Sequence, residues 1–272
     1  MKIILSPAKK MNNAEHCGTF GQTVLETSES GQTVLEGTEF GVLTSPQYLS
    51  QTREILDWLK SRTHEELKKL WGCNDAIAEQ NFERLEHMDL EQQLTPAVLS
   101  YEGIAFQYMA PAVFEYGQFE YVQEHLRILS AFYGALRPMD GVTPYRLEMQ
   151  TKAAIGGKKN LYDLWGSRLY EAVHDDSGVI INLASKEYSK CVEKYLTDQD
   201  LYITVNFCEK SGDKLVTKAT YAKMARGEMV RFMAENRVED PKEIKRFDRM
   251  GYIFREDLSD ETSYVFERIP ER

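Results

Sequence analysis

Residues 178–183 read GVIINL, and residues 184–188, ASKEY, follow directly. A continuous aliphatic run of this length is typical of a strand that is buried on both faces of a sheet. Residues at the carboxyl end of a central strand, where a helix begins, commonly face a ligand cleft, and the free amides of the helix attract anions. Asn182, Ser185 and Tyr188 are therefore candidate ligand-orienting residues, with the alternative that Ser185 only caps the helix.

Further elements are predicted on either side of this run. Helices are expected between residues 44 and 88, where Thr63 is a cap, and over residues 221–237. The repeat GQTVLE, at residues 21–26 and 31–36, is interpreted as two short strands or a hairpin. More strands are predicted by alternating or aliphatic runs at residues 2–6, 201–208, 214–217, 251–254 and 263–269.

The order of these elements predicts the fold class. Strands and helices interleave without a regular βαβ rhythm, and no segment rich in glycine, serine or proline marks a domain boundary. We therefore predict an α/β fold of the mixed α+β kind, in which one compact domain, residues 1–272, has a mixed β-sheet surrounded by helices. A hydrophobic content of 42% is sufficient for a real core at this length.

The overall charge excludes one class of protein. Acidic residues outnumber basic residues by 43 to 33, which gives a net charge of −10. This balance argues against a surface coated in positive charge for nonspecific nucleic-acid binding, but it is compatible with a local basic groove. The first apolar run stops at Leu5, and no stretch approaches the ~20 apolar residues of a membrane span. We expect a cytoplasmic protein that does not contact a membrane.

The four cysteines and five histidines have no metal-binding spacing, so no metal or cofactor is predicted. Reduced cysteines that only pack are the expectation. Cys191 lies near Lys190 and Lys194, and it is the one thiol that we would test for reactivity, since neighbouring positive charge favours the reactive thiolate.

Residues 133–149, YGALRPMDGVTPYRLEM, combine turn-forming residues with a strand-like alternation. The alternation predicts a short strand with Arg146 and Glu148 on one face and Tyr145 on the other. Arg137 belongs to the turn RPMDG just before this strand. We interpret the segment as the rim and floor of an anion-binding cleft, with a solvated surface ion pair as the alternative.

The helix predicted at residues 221–237 carries Lys223 and Arg226 along a strip beside its apolar face, and Arg231 follows. Gly227 in the middle of this helix costs about 1 kcal/mol relative to alanine, which predicts that a backbone or a ligand comes close there. The alternative interpretation of the basic residues is a solvated face.

Two more lysines, Lys9 and Lys10, are expected in the loop after the first strand. Together with the basic and polar clusters around Arg146, Ser185 and Lys223, they could converge on one phosphate-bearing ligand. The sequence contains no glycine-rich phosphate loop and no other strong catalytic motif. Whether these residues lie together therefore depends on the fold.

Six blocks of sequence are distributed over essentially the whole chain. These blocks are SPAK at residues 6–9, LRILSAFYGALRPMDGVTPYRLEM at 126–149, NLYDLWG at 160–166, INLASKEYSK at 181–190, YAKMARGEMVRF at 221–232, and GYIF with VFER near the end. In these blocks and in their order, the chain resembles the YaaA family of bacterial peroxide-stress proteins. Ala131 and Met224 stand where relatives commonly have glycine and lysine.

This resemblance implies a cytoplasmic protein of the response to hydrogen peroxide that protects DNA, limits damage by free iron and so contributes to iron homeostasis. It also implies a single mixed α/β fold with a positively charged concave face and a helix-hairpin-helix element that binds duplex or branched DNA. Two segments could form that element, residues 64–80 and residues 120–137. We prefer the second, which contains Arg127.

Three hypotheses follow for the function. In the first, the protein binds the DNA backbone without sequence preference. In the second, it is an enzyme acting on a nucleotide or nucleobase, with Glu148 as acid or base and with Tyr145, Asn182, Ser185 and Tyr188 orienting the ligand. In the third, it is an iron sink, for which no compact ligand cluster is visible. The DNA- or phosphate-binding residues would be Lys9, Lys10, Arg127, Arg137, Arg146, Lys223, Arg226 and Arg231.

Overall fold

The computed structural model describes residues 1–12, 25–27, 33–35 and 43–269. Its strands, in chain order, are β1 (Lys2–Leu5), β2 (Lys10–Met11), β3 (Leu25–Thr27), β4 (Thr33–Leu35), β5 (Thr95–Pro96), β6 (Tyr101–Glu102), β7 (Leu126–Ser130), β8 (Gly134–Leu136), β9 (Gly141–Val142), β10 (Val179–Asn182), β11 (Leu201–Ser211), β12 (Lys214–Val216), β13 (Tyr252–Phe254) and β14 (Ser263–Arg268). Its α-helices are α1 (Leu49–Lys60), α2 (His64–Trp71), α3 (Asp75–Glu86), α4 (Ala97–Ser100), α5 (Ile104–Met109), α6 (Tyr116–His125), α7 (Leu161–Trp165), α8 (Arg168–Glu171), α9 (Lys186–Glu193) and α10 (Ala219–Glu235).

The main sheet is mixed, as the sequence predicts. Within the described residues it contains eight strands, and seven of them follow the order β13-β14-β11-β10-β1-β7-β8, while β12 pairs with β11. The five consecutive strands β14, β11, β10, β1 and β7 are parallel to one another. The strands β13, β12 and β8 are antiparallel and join through short connections. The predicted mixed α/β class is therefore confirmed.

The run GVIINL supplies the strand β10, which lies between β1 and β11. Three consecutive residues of β10 and three of β1 are buried, so both faces of the sheet are covered at its centre. On this sheet, α6 packs against β1 and β7, and α10 packs against β11, α5 and α6. The buried apolar side chains form one continuous core.

The order of the strands creates a switch point between β1 and β10. The chain leaves β1 and reaches β7 on one side of it, whereas it leaves β10 and reaches β11 on the other side. In open α/β sheets, ligands bind outside the carboxyl ends of the strands at such a point, because the diverging connections leave a cleft. The residues that follow Leu5 and Asn182 are therefore the ones that the fold brings to a ligand site.

The preferred helix-hairpin-helix segment, residues 120–137, is wrong as a pair of helices. The helix α6 ends at His125, and the next residues form the strands β7 and β8 of a hairpin. The physical reason is that LRILS at residues 126–130 is a largely buried aliphatic run, which pairs with β1 in the centre of the sheet.

The other segment, residues 64–80, does form two helices. Thr63 caps α2 through a reciprocal capping box with Glu66, as the sequence predicts. Gly72 ends α2 in the left-handed conformation, with φ of 54°, and Asn74 caps α3. The residues of α2 and α3 are six acidic against three basic, so this helix pair presents mainly negative charge.

The long helix α10 confirms the prediction of a close approach at Gly227. A Cβ atom added to Gly227 would lie 1.9 Å from the carbonyl oxygen of Ala105 in α5. Only glycine permits the two backbones to come this close. The contact fixes α5 beside the first turns of α10, where Lys223 and Arg226 lie.

One expectation differs from the observed local structure, and another agrees with it over the described residues. Residues 145–149 show the predicted alternation of buried and partly exposed side chains, but they are an extended segment that belongs to no strand ladder, in keeping with Pro144, which cannot donate to one. The GQTVLE repeat contributes β3 and β4, which pair antiparallel, and its remaining residues lie outside the described residues.

Among the described helices, none has both the length and the apolar character that crossing a membrane requires.

Candidate functional site

A cleft of about 420 Å³ lies beyond the carboxyl ends of β1 and β10. This volume falls in the range of small-molecule sites, about 300–1,000 Å³. The cleft is lined by the loop after β1, by the start of α5, by residues 145–148, by the start of α9 and by α10. The fold therefore brings together, at its switch point, the segments that the sequence nominates from four separate places.

Five basic side chains line the cleft, and they fall into two groups. Lys9 and Lys10 are exposed and paired with carboxylates, whereas the other three form no ion pair with any carboxylate in the described part of the chain. The three unpaired cations are Arg146, Lys223 and Arg226.

Arg146 and Arg226 also each have a hydrogen-bond donor without a partner. The Nε atom of each is buried and has no partner among the described residues. A buried donor without a partner costs about 1–3 kcal/mol, so each such group in a folded protein needs an explanation. Burial lowers the pKa of Arg226, yet a guanidinium remains charged near neutral pH. Two partly buried positive charges therefore line one cleft without a counter-charge from the described chain.

The two lysines of the loop after β1 form exposed ion pairs. Lys9 Nζ lies 2.7 Å from Glu148 Oε1, and Lys10 Nζ lies 2.7 Å from Glu102 Oε1. The hydrogen bond from Lys10 lowers the pKa of Glu102. Because exposed ion pairs are worth only about 0–1 kcal/mol, both lysines can change partner at little cost.

Ser185 does not cap the helix α9 with its side chain. The Ser6 hydroxyl donates to Ser185 Oγ at 3.1 Å, and Ser6 Oγ accepts the Ser185 amide at 2.8 Å. With this arrangement the Ser185 hydroxyl hydrogen has no acceptor among the described residues, so it can be donated to a ligand. The two serines join the carboxyl ends of β1 and β10 across the switch point.

Asn182 is buried and does not line the cleft. Its Oδ1 atom accepts the Ala184 amide at 2.9 Å, and its Nδ2 atom donates to Thr204 Oγ1 at 3.4 Å. The contact of Asn182 with the cleft is therefore indirect: its side chain fixes the turn that presents Ser185.

Tyr145 and Tyr188 line the cleft as neutral aromatic side chains. The Tyr145 hydroxyl is hydrogen-bonded to Ser130 Oγ at 2.7 Å and to Tyr101 at 2.9 Å. Burial raises the pKa of Tyr145 to about 12, and burial also raises the pKa of Tyr188. Both rings supply apolar surface, together with Phe106 of α5.

Three of the nominated basic residues lie outside the cleft and have partners within the chain. Arg127 Nη1 donates to the carbonyl of Leu126 at 2.8 Å and to another carbonyl at the end of α6. Arg137 Nε lies 3.3 Å from Asp140 Oδ1, and Arg231 Nε lies 2.7 Å from a carboxylate oxygen of Glu235. These contacts give all three side chains a structural role.

The cleft also contains residues that the sequence did not nominate, namely Glu102, Phe106 and Glu187. Glu187 belongs to ASKEY, so its place in the first turn of the helix after β10 was a usable signal. Phe106 reaches the cleft through the packing of α5 on α10, and Glu102 reaches it through the pairing of β6 with β2. Neither contact between distant segments leaves a local mark on the sequence.

Cys191 is not an activated thiol in this structure. Burial raises the pKa of Cys191 to about 12, despite the nearby charge of Lys190, and burial also raises the pKa of Cys208. A raised pKa means less thiolate, which is the peroxide-reactive form. In the described ranges, no group of three His, Cys, Asp or Glu side chains is arranged to hold a metal ion.

Sequence comparison with known proteins shows which family this chain belongs to. The sequence model of the family described as "Peroxide stress protein YaaA" matches residues 1–258. A "UPF0246 protein" of Agathobacter rectalis is 64% identical over 98% of this chain and 99% of its own length. Proteins with the same description from Lachnoclostridium phytofermentans and Pediococcus pentosaceus are 49% and 47% identical, each over 98% of this chain and over 96% and 97% of their own lengths. The chain belongs to the YaaA family of peroxide stress proteins.

Proposed function

We propose that this peroxide stress protein binds a phosphate-bearing ligand of nucleotide size in the cleft. The observation that carries the proposal is the pair Arg146 and Arg226, two partly buried guanidinium groups without a counter-charge from the described chain. A phosphate group matches guanidinium in both charge and geometry, and it would satisfy donors that otherwise carry a desolvation cost.

The walls of the cleft support a ligand with an aromatic part. Phe106, Tyr188 and Leu147 are buried side chains that present apolar surface to it. Ser185 adds a neutral donor beside the first turn of α9. A nucleotide combines an anionic phosphate with a planar base, and a cavity of about 420 Å³ is the size of one such ligand rather than of a polymer.

Glu148 is the residue that would carry a proton transfer if the ligand is also a substrate. One of its carboxylate oxygens is held by Lys9, and the other has no partner among the described residues. A carboxylate that lines a ligand cleft with a free oxygen can act as a general acid or base.

Binding of the DNA backbone is the second candidate. It is favoured by the exposed lysines Lys9, Lys10 and Lys223, because a polyanion could lie across the opening of the cleft. Shielding of DNA would then account for limiting oxidative and iron-mediated damage. Against it, the helix pair α2–α3 is acidic, and Arg127, Arg137 and Arg231 have partners within the chain.

Equilibrium binding tests the proposal and separates the two candidates. Wild-type protein, Arg146→Met, Arg226→Met and the control Arg231→Met would be titrated with four nucleoside monophosphates, and with duplex and four-way-junction DNA over a series of salt concentrations. We expect nucleotide binding in the wild type and in Arg231→Met, and its loss in the two cleft variants. DNA binding that weakens steeply with salt, without nucleotide binding, would favour the second candidate. Binding of neither ligand would refute the proposal.

A further inference from the structure

We infer that the ligand is a nucleoside monophosphate whose base carries an exocyclic amino group. This inference rests on the proposed function, and it deepens it by naming the class of ligand. It is drawn from the balance of paired and unpaired charges around the cleft and from the free acceptor atoms that face it.

The unpaired charges fix the charge of the ligand. Lys9 is neutralised by Glu148, and Lys10 is neutralised by Glu102. The remaining lining charges are the three cations Arg146, Lys223 and Arg226, together with the anion Glu187, which forms no ion pair with any described residue. The cleft therefore has an excess of two positive charges.

A phosphate monoester is the common ligand group that matches this excess. It carries about −1.5 to −2 charge at pH 7, because its second pKa is about 6. A nucleoside diphosphate would bring a further negative charge towards Glu187 and Glu148, and an uncharged nucleoside would leave both guanidinium groups without a counter-ion. Charge balance consequently favours a nucleoside monophosphate over both the diphosphate and the uncharged nucleoside.

The carboxylates of Glu148 and Glu187 indicate which hydrogen-bonding groups the ligand carries away from its phosphate. Glu187 uses one oxygen, Oε1, to accept the Gln150 amide at 3.2 Å, and Glu148 uses its Oε1 atom in the pair with Lys9. The second oxygen of each has no partner among the described residues. Carboxylates accept hydrogen bonds and do not donate them, so these atoms match N–H or O–H donors on the ligand, such as an amino group of the base.

A neutral amino group fits this site better than an ammonium group. The charge of Glu148 is already balanced by Lys9, which removes most of the attraction for a second cation. The aromatic surfaces of Phe106 and Tyr188 favour a planar ring, which an aliphatic amine lacks. Guanine, adenine and cytosine carry an exocyclic amino group on such a ring, whereas hypoxanthine and uracil carry a carbonyl or a hydrogen in its place.

Matched pairs of nucleotides test this inference by isothermal titration calorimetry. GMP is compared with IMP, which lacks only the 2-amino group. CMP is compared with UMP, which has a carbonyl in place of the amino group and a hydrogen on N3. GMP is also compared with GDP and guanosine, and phosphoethanolamine represents an aliphatic ammonium. The proteins are the wild type, Glu148→Gln, Glu187→Gln and Glu79→Gln, of which the last changes an exposed residue of α3.

We expect GMP and CMP to bind at least about tenfold more tightly than IMP and UMP, as one unmade hydrogen bond to a charged group predicts. This preference should shrink in Glu148→Gln or Glu187→Gln and persist in Glu79→Gln. Equal affinity within each pair, tighter binding of GDP, or a preference for phosphoethanolamine would overturn the inference, while Arg146- and Arg226-dependent nucleotide binding would leave the proposed function intact. Failure of all nucleotides to bind would overturn both.

Discussion

Lys9 and Glu148 form an ion pair, with 2.7 Å between Nζ and Oε1, that joins the loop after β1 to the extended segment at residues 145–148. The lysine side chain is 63% exposed and the glutamate side chain 22%, so the pair lies at the opening of the cleft rather than in its interior. An exposed pair of this kind contributes little to stability. Its significance is chemical, because it keeps a cation and a carboxylate within reach of the same ligand.

A trade-off between stability and binding is predicted at Arg226. Replacing it by methionine removes a partly buried, unpaired charge, so the free energy of unfolding should stay the same or rise by roughly 1–3 kcal/mol while nucleotide binding is lost. Urea denaturation and calorimetry on the same preparation measure both quantities. Arg231→Met is the matched control, since it breaks an ion pair with Glu235 on the same helix and should lower stability by about 1 kcal/mol. A large loss of stability in Arg226→Met would mean that the guanidinium is structural.

The packing of α5 on α10 is predicted to depend on Gly227. In Gly227→Ala the new Cβ atom would meet the Ala105 carbonyl oxygen at 1.9 Å, and both backbones would have to move. We expect a loss of roughly 3 kcal/mol in the free energy of unfolding, measured by chemical denaturation. Gly212→Ala is the control, because no atom lies within 4 Å of its added Cβ and only its φ of +62° opposes the change, at about 1 kcal/mol. Equal effects of the two substitutions would contradict the close approach.

The hydroxyl of Tyr145 is predicted to hold the cleft segment in place. Residues 145–148 belong to no strand ladder, and Tyr145 anchors them through hydrogen bonds to Ser130 and Tyr101 and by stacking on Phe132 at 4.9 Å. Tyr145→Phe keeps the ring but leaves the buried Tyr101 hydroxyl without its hydrogen bond, so we expect about 1–3 kcal/mol of destabilisation together with weaker ligand binding. Thermal and chemical denaturation measure the first effect. Tyr108→Phe should be silent, because the Tyr108 hydroxyl makes no hydrogen bond with the described residues.

Cys191 is predicted to be unreactive in the native protein. Burial raises its pKa to about 12, so the thiolate is scarce at every pH up to about 10. Mass spectrometry after treatment with iodoacetamide or hydrogen peroxide should find Cys191 unmodified in the folded protein and modified in denaturant. Native modification as fast as that of a free cysteine would contradict this prediction.

The pair between Lys10 and Glu102 gives a prediction about pH. The hydrogen bond from Lys10 lowers the pKa of Glu102 below its usual 4.5. The pair therefore contributes its small stabilisation above pH 4.5 and loses it as the pH falls through the lowered pKa of the folded state. In Lys10→Met the carboxyl titration of Glu102, followed by NMR, should move back up towards 4.5, whereas an unchanged titration curve would show that Lys10 is not the cause.

Local sequence patterns were sufficient to predict many of the secondary-structure elements and many of the residues that line the cleft. The aliphatic run at β10, the Thr63 cap and the glycine at residue 227 each act through their own neighbourhood, and the structure agrees with all three. The segment at residues 120–137 could not be interpreted in this way, because LRILS becomes a strand only by pairing with β1, more than a hundred residues away. For the same reason no local pattern reveals Glu102 and Phe106 as cleft residues, or the partners of Arg127.

The guanidinium groups of Arg146 and Arg226 report directly on whether the cleft binds a phosphate-bearing ligand. In protein labelled with ¹⁵N-arginine, their Nε–H signals can be assigned with Arg146→Lys and Arg226→Lys and followed during a titration with GMP. We predict that both signals shift as GMP binds, while the signal of Arg231, which is already paired with Glu235, stays in place. A titration in which GMP leaves the signals of Arg146 and Arg226 unchanged would show that these guanidinium groups do not bind the phosphate.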